Sequence, residues 1–114
     1  MSKVTMYHNP KCSKCRKTLS LLEDKGVTVD VREYLKEAPS IEELRDISKK
    51  LQLRAKDFIR KKEDELKDLD LDRENDEALF AAINEHPRIL ERPIVIRGEK
   101  AVIGRPPENI EQLF

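Results

Sequence analysis

No uninterrupted aliphatic or aromatic run in this chain exceeds Leu79 to Ile83, so no stretch of it is long enough to cross a bilayer as a helix. The first residues, Met-Ser-Lys-Val-Thr-Met, lack the apolar segment of a secretory signal, and a cytoplasmic location is expected. Neither sign of charge is in excess: 23 Lys and Arg balance 23 Asp and Glu. That balance removes the basic footprint expected of a nucleic-acid or anionic-membrane binder. Apolar residues are scarce as well, at 38% against 40% charged. One modest core with heavily solvated helix faces follows, hence a single domain over residues 1–114 and an expected monomer. Internal repeats, low-complexity segments and interdomain linkers are all missing. Cysteine is limited to Cys12 and Cys15. Two cysteines without an export signal point to a reducing compartment and to a catalytic, redox or metal role.

What is present is concentrated in His8-Asn9-Pro10-Lys11-Cys12-Ser13-Lys14-Cys15-Arg16. Val4 to Tyr7 before it reads as a strand, and Asn9-Pro10 as the turn that stops it. Cys15, Leu19 and Leu22 after it recur at helical spacing up to Gly26, a suitable helix end. Cys12 therefore falls at a helix N-terminus, where unpaired N–H groups and the dipole favour an anion. Such a position, with Lys11, Lys14 and Arg16 on the same turn and His8 just upstream, predicts a thiolate pKa below the ordinary ~8.5. The same donors suit an oxyanion held beside the sulfur. Two ordinary buried thiols are the plain alternative, but Cys-X-X-Cys between a strand and a helix is a redox signature.

Along the chain, Val27, Val29 and Val31 alternate with polar residues in a strand ending near Tyr34, completing a β-α-β unit whose strands should be parallel. Ser40 and Glu43 form a capping box for a helix with Leu44, Ile47 and Leu51 inward. A short helix is expected around Ala55 to Arg60. Lys61 to Asp76 is a charge run, read as a solvated helix face plus a loop. Asp76 to Glu85 is another helix, stopped at His86-Pro87. Ile94–Ile96 and Ala101–Ile103 read as an antiparallel hairpin, and Pro106-Pro107-Glu108 opens a last helix. The order is β-α-β, a helical insertion at about 38–90, then β-β-α: an α/β, thioredoxin-like plan with a four-stranded mixed sheet.

Four blocks carry a family resemblance: His8 to Thr18, Phe58-Ile59-Arg60-Lys61-Lys62-Glu63, Glu91-Arg92-Pro93-Ile94-Val95-Ile96, and Gly104-Arg105-Pro106-Pro107-Glu108. Together they resemble the glutaredoxin-coupled arsenate reductases of the ArsC family. The resemblance implies Cys12 as the nucleophile, and Arg60, Arg92 and Arg105 around the oxyanion. His8 would help tune the thiolate, and Pro93 would be the cis-proline of thioredoxin-like proteins. Arg16 is grouped with the substrate-binding arginines because its charge lies on the nucleophile's turn. The substrate would be arsenate or a similar oxyanion, with no bound cofactor or metal, glutathione as co-substrate and glutaredoxin as partner.

Guanidinium groups suit such a substrate on chemical grounds, since they pair the oxygens of a tetrahedral dianion in planar, bidentate fashion. Cys15 is the departure. Cys-X-X-Cys at this turn also resembles the redox switch of Spx-type regulators, which bind RNA polymerase, and it would suit a general thiol-disulfide oxidoreductase. Cys15 is expected to make the chain redox-sensitive without being required for arsenate chemistry. A zinc site from Cys12, Cys15, His8 and His86 would need two distant, unpatterned histidines, which is not a usual closed set.

Overall fold

At the centre of the sheet, β1 (Lys3–Tyr7) runs parallel to β2 (Thr28–Arg32), with Lys3 opposite Thr28 and Tyr7 opposite Arg32. The helix α1 (Ser13–Asp24) makes the crossover between them, and it ends at Gly26, whose φ of +75° suits glycine. On its other side β1 pairs antiparallel with β3 (Ile94–Arg97), which turns through Gly98-Glu99 into antiparallel β4 (Lys100–Ile103). The strand order is β2-β1-β3-β4. This is the mixed sheet expected from the β-α-β and β-β-α halves. These relations come from a computed structural model that describes residues 3–60, 72 and 74–114. Most of the Lys61–Asp76 charge run, with Leu66, Leu69 and Leu71, lies outside the described residues.

The chain divides into two compact units, Met1–Tyr34 with Arg92–Phe114, and Leu35–Glu91. The stretch read as an insertion falls within the second. In the first unit, Val4, Met6 and Val95 share one sheet face with Cys15 and Leu22 of α1 and with Ile110 and Leu113. The last two come from a 3-10 helix at Pro107–Leu113, where the sequence reads simply as helix. Val27 and Val29 pack against this core, but Val31 is 39% exposed. The valine alternation marked the strand correctly. Its position at the sheet edge leaves the third valine uncovered.

In the second unit, α2 (Ile41–Leu51) begins with the Ser40–Glu43 capping box and buries Leu44 and Ile47. The helix α3 (Asp76–Glu85) buries Leu79, Phe80 and Ile83, and the Phe80 ring stacks on Phe58 with centroids 6.4 Å apart. The helix expected over Ala55 to Arg60 is shorter: a 3-10 helix covers Ala55–Phe58, and Ile59 leaves it extended. Backbone pairing accounts for the difference. Ile59 bridges Leu90, Arg60 N–H donates to Ile89 O at 2.6 Å, and Glu91 N–H donates to Phe58 O at 2.9 Å.

Candidate active site

From the end of β1, His8 N–H donates to Arg32 O at 2.8 Å, so the chain stays in line with the sheet one residue beyond the strand. It then turns sharply. Cys12 N–H donates to Asn9 O at 3.0 Å, and Lys11 N–H donates to the Asn9 side chain at 3.0 Å. One turn into α1, Arg16 reaches back and donates through Nη1 to Pro10 O at 2.9 Å. Side chain and backbone together therefore tie down the loop that presents Cys12.

Cys12 is the N-cap of α1, with extended φ and ψ of −93° and 122°. Its sulfur makes no full capping hydrogen bond. The N–H groups of Lys14 and Cys15 are nevertheless directed at it, and the Cys15 thiol stands within hydrogen-bonding reach. Burial is the largest influence and opposes ionisation. The Cys15 N–H and thiol, the Arg92 guanidinium and the Lys14 N–H together outweigh it, and the Cys12 pKa is lowered. The cation in this set is Arg92, whereas the sequence reading placed Lys11, Lys14 and Arg16 in that part. Those three side chains are exposed on the turn; Arg92 starts the run into β3 and comes to the sulfur through the β1–β3 pairing.

Cys15 differs in kind rather than being an ordinary thiol. It is fully buried in the core. Burial, with the charge and hydrogen bond of Cys12, pushes its pKa up to about 12, against the opposing Asn9 N–H and Arg92. His8 is also buried, and its pKa is lowered by that burial, with Glu33 raising it and Arg16 lowering it further. The imidazole is thus held toward its neutral form, and its Nδ1 has no hydrogen-bond partner among the described residues.

The remaining candidates follow from the sheet. The Arg92–Pro93 peptide bond is cis, and so is Arg105–Pro106, which the sequence reading did not anticipate. Gly104 N–H donates to Pro93 O at 2.8 Å, so the backbone just before Arg105 is tied to the residue just after Arg92. Arg105 itself is exposed, and Asn109 Nδ2 donates to its carbonyl at 3.1 Å. Arg60 belongs to the Leu35–Glu91 unit, where its Nη1 donates to Arg88 O at 3.5 Å. The sequence reading missed Thr18, which is buried and donates to Lys14 O at 2.8 Å. The spacing of Cys15, Thr18 and Leu22 on one helix face was the available signal. No group of three or more His, Cys, Asp or Glu among the described residues is placed to hold a metal ion.

Residues 7–113 match the sequence model of the ArsC family. The chain belongs to the ArsC family. A relative named arsenate reductase from Neisseria meningitidis serogroup A is 48% identical over 117 residues, covering 100% of both chains. Another of that name, from Haemophilus influenzae, is 46% identical and covers 97% of this chain and 98% of its own. The solved structure of an arsenate reductase from Vibrio cholerae superposes with a TM-score of 0.89 at 44% identity, covering 99% of this chain and 98% of that one. The thioredoxin-like architecture of the ArsC group is therefore the architecture of this chain.

Proposed function

We propose that this ArsC-family chain reduces arsenate, with Cys12 as nucleophile and with glutathione and glutaredoxin supplying the electrons. The observation that carries the reading is the setting of Cys12: a helix N-cap whose sulfur faces two backbone N–H groups and the Arg92 guanidinium. The relatives named arsenate reductase supply the substrate. A hydrogen arsenate dianion brings negative charge to a site that already favours an anion, so guanidinium groups must offset both charges before sulfur can approach arsenic. Arg92 is the first of these. Arg105 follows on the neighbouring turn, and Arg60 enters from its sequence motif. Arg16 supports the loop through Pro10.

In the first step the Cys12 sulfur bonds to arsenic and one arsenic–oxygen bond breaks, with that oxygen leaving as water. The product is a thiol-arsenate ester at the helix N-terminus. Reduction by thiols then releases arsenite, and glutaredoxin clears the resulting disulfide. A neutral His8 beside the loop is suited to passing a proton rather than to supplying positive charge. In this reading the protein works as a cytoplasmic monomer with no resident cofactor, and glutathione is a co-substrate.

The test is NADPH oxidation in a mixture of arsenate, glutathione, glutaredoxin and glutathione reductase. Arsenate-dependent oxidation that disappears in Cys12→Ser is expected. No arsenate-dependent oxidation, with either glutaredoxin or thioredoxin as the carrier, would overturn the reading.

A further inference from the structure

Cys12 and Cys15 share one turn, yet they are built for different moments of a reaction. Cys12 is half-exposed at the N-cap, and it packs against the core cluster of which Cys15 is a fully buried member. The Cys15 thiol stands within hydrogen-bonding reach of the Cys12 sulfur, Asn9 N–H is directed at the Cys15 sulfur, and Arg92 acts on both. We propose that Cys15 is the resolving thiol of this site: once the Cys12 sulfur carries a leaving group, Cys15 attacks it and closes a Cys12–Cys15 disulfide. This rests on the proposed arsenate chemistry for its natural leaving group, and on the geometry of the turn for the closure itself.

The timing follows from charge. While Cys12 is a free thiolate, its negative charge and its claim on the Cys15 proton both oppose ionisation of Cys15. Bonding of Cys12 to arsenic ends that hydrogen bond and moves the charge from the sulfur onto the arsenate oxygens, where the guanidinium groups offset it; the Asn9 N–H and Arg92 then favour the Cys15 anion. Burial still holds the second thiol back from solvent oxidants, so its reach is confined to the neighbouring sulfur. The movement needed is small. Side chains three apart on a helix have Cβ atoms about 5–6 Å apart, against roughly 3.5–4.5 Å in a disulfide. Cys12 lies at the cap with extended φ and ψ, outside the helical ladder's side-chain constraints, so its side chain is the one that swings.

The step balances. The Cys15 sulfur bonds to the Cys12 sulfur, the sulfur–arsenic bond breaks, and its electron pair stays on arsenic, which falls from the +5 to the +3 state. The Cys15 proton goes to an arsenite oxygen. Two thiols thus supply both electrons, and glutathione with glutaredoxin acts afterwards, on the intramolecular disulfide rather than on the arsenic adduct.

Two measurements separate this from the proposed function. In the first, reduced protein freed of all other thiols is mixed anaerobically with excess arsenate. About one arsenite per chain is expected, with loss of both thiols and a mass lower by two hydrogens; Cys15→Ser should release no arsenite until glutathione is added. If wild-type protein releases none without glutathione but turns over normally with it, the resolving role is overturned and the arsenate reading stands. The second uses 5,5′-dithiobis(2-nitrobenzoate), whose thionitrobenzoate gives Cys12 a different leaving group. Native wild-type protein should release about two thionitrobenzoates per chain, the second at a rate independent of reagent concentration, whereas Cys15→Ser should release one and stay labelled. A wild-type chain that stays labelled at Cys12, or a second release proportional to reagent concentration, would overturn closure by Cys15 whatever the natural substrate. If arsenate fails in both proteins while this second release persists, the arsenate reading falls and the resolving thiol remains.

Discussion

Thr18 and Gly104 meet so closely that the glycine has no room for a side chain: a Cβ at position 104 would lie 3.0 Å from Thr18 Oγ1 and 2.9 Å from Pro93 Cγ. The Thr18 hydroxyl reaches the Gly104 carbonyl at 3.4 Å. This contact locks α1, the helix capped by Cys12, to the end of β4 and to the proline that follows Arg92. Gly104 is needed here for close approach and not for an unusual backbone conformation.

Gly104→Ala should therefore destabilise the reduced protein by about 1–3 kcal/mol, the usual cost of forcing a methyl into packed surroundings. Urea denaturation measures it. An unchanged midpoint would mean that Pro93 and Thr18 give way freely, and that the contact does not hold α1 in place.

Arg92→Ala should raise the Cys12 pKa, because it removes the guanidinium that favours the thiolate. The pH dependence of iodoacetamide alkylation in a Cys15→Ser background reads this directly. Turnover with arsenate should fall about a hundredfold or more, since in the proposed mechanism the same charge stabilises the adduct. Arg92→Lys should recover the pKa better than the turnover, because an ammonium restores charge but not the planar fork. Equal alkylation profiles with and without the Arg92→Ala substitution would remove Arg92 from the thiolate's surroundings.

Cys15 should make the reduced protein lose stability in alkali. Its folded pKa is raised, to about 12, above the ordinary thiol value of ~8.5. Between these values the unfolded chain has released the proton while the folded one keeps it, so the contribution is complete below ~8.5 and declines as pH rises. Denaturation of wild type and Cys15→Ala from about pH 8 to about pH 10 should show the gap in stability shrinking. A constant gap would contradict a buried, neutral Cys15.

Ser40→Ala should cost the Leu35–Glu91 unit roughly 1 kcal/mol. The Ser40 hydroxyl accepts from Glu43 N–H at 3.1 Å, and the Glu43 carboxylate accepts from Ser40 N–H at 3.3 Å, so the substitution strands one donor and loosens the other. Turnover at low temperature should be unaffected. A loss of activity without a loss of stability would give Ser40 a part in the chemistry that its position does not suggest.

Local sequence was sufficient wherever a short-range rule governs. The capping box at Ser40, the stop at Gly26, the hairpin through Gly98 and the N-cap position of Cys12 each depend on neighbours within a turn, and each could be read from residue type and spacing. The parallel pairing of β1 and β2 was also legible, because a strand-helix-strand unit has essentially one handedness. Tertiary structure decided what depends on residues distant in the chain. Val31 is exposed because β2 lies at an edge. Ile59 leaves its helix because residues 89–91 offer its backbone partners. Arg92 acts on Cys12 because antiparallel β3 brings position 92 to the helix N-terminus, whereas the neighbouring Lys11 and Lys14 are exposed to solvent. Position in the motif separated the two thiols, since Cys12 at the helix N-terminus was expected to have the lowered pKa that it has. The raised pKa of Cys15 arises first from its burial in the core, which spacing alone does not encode.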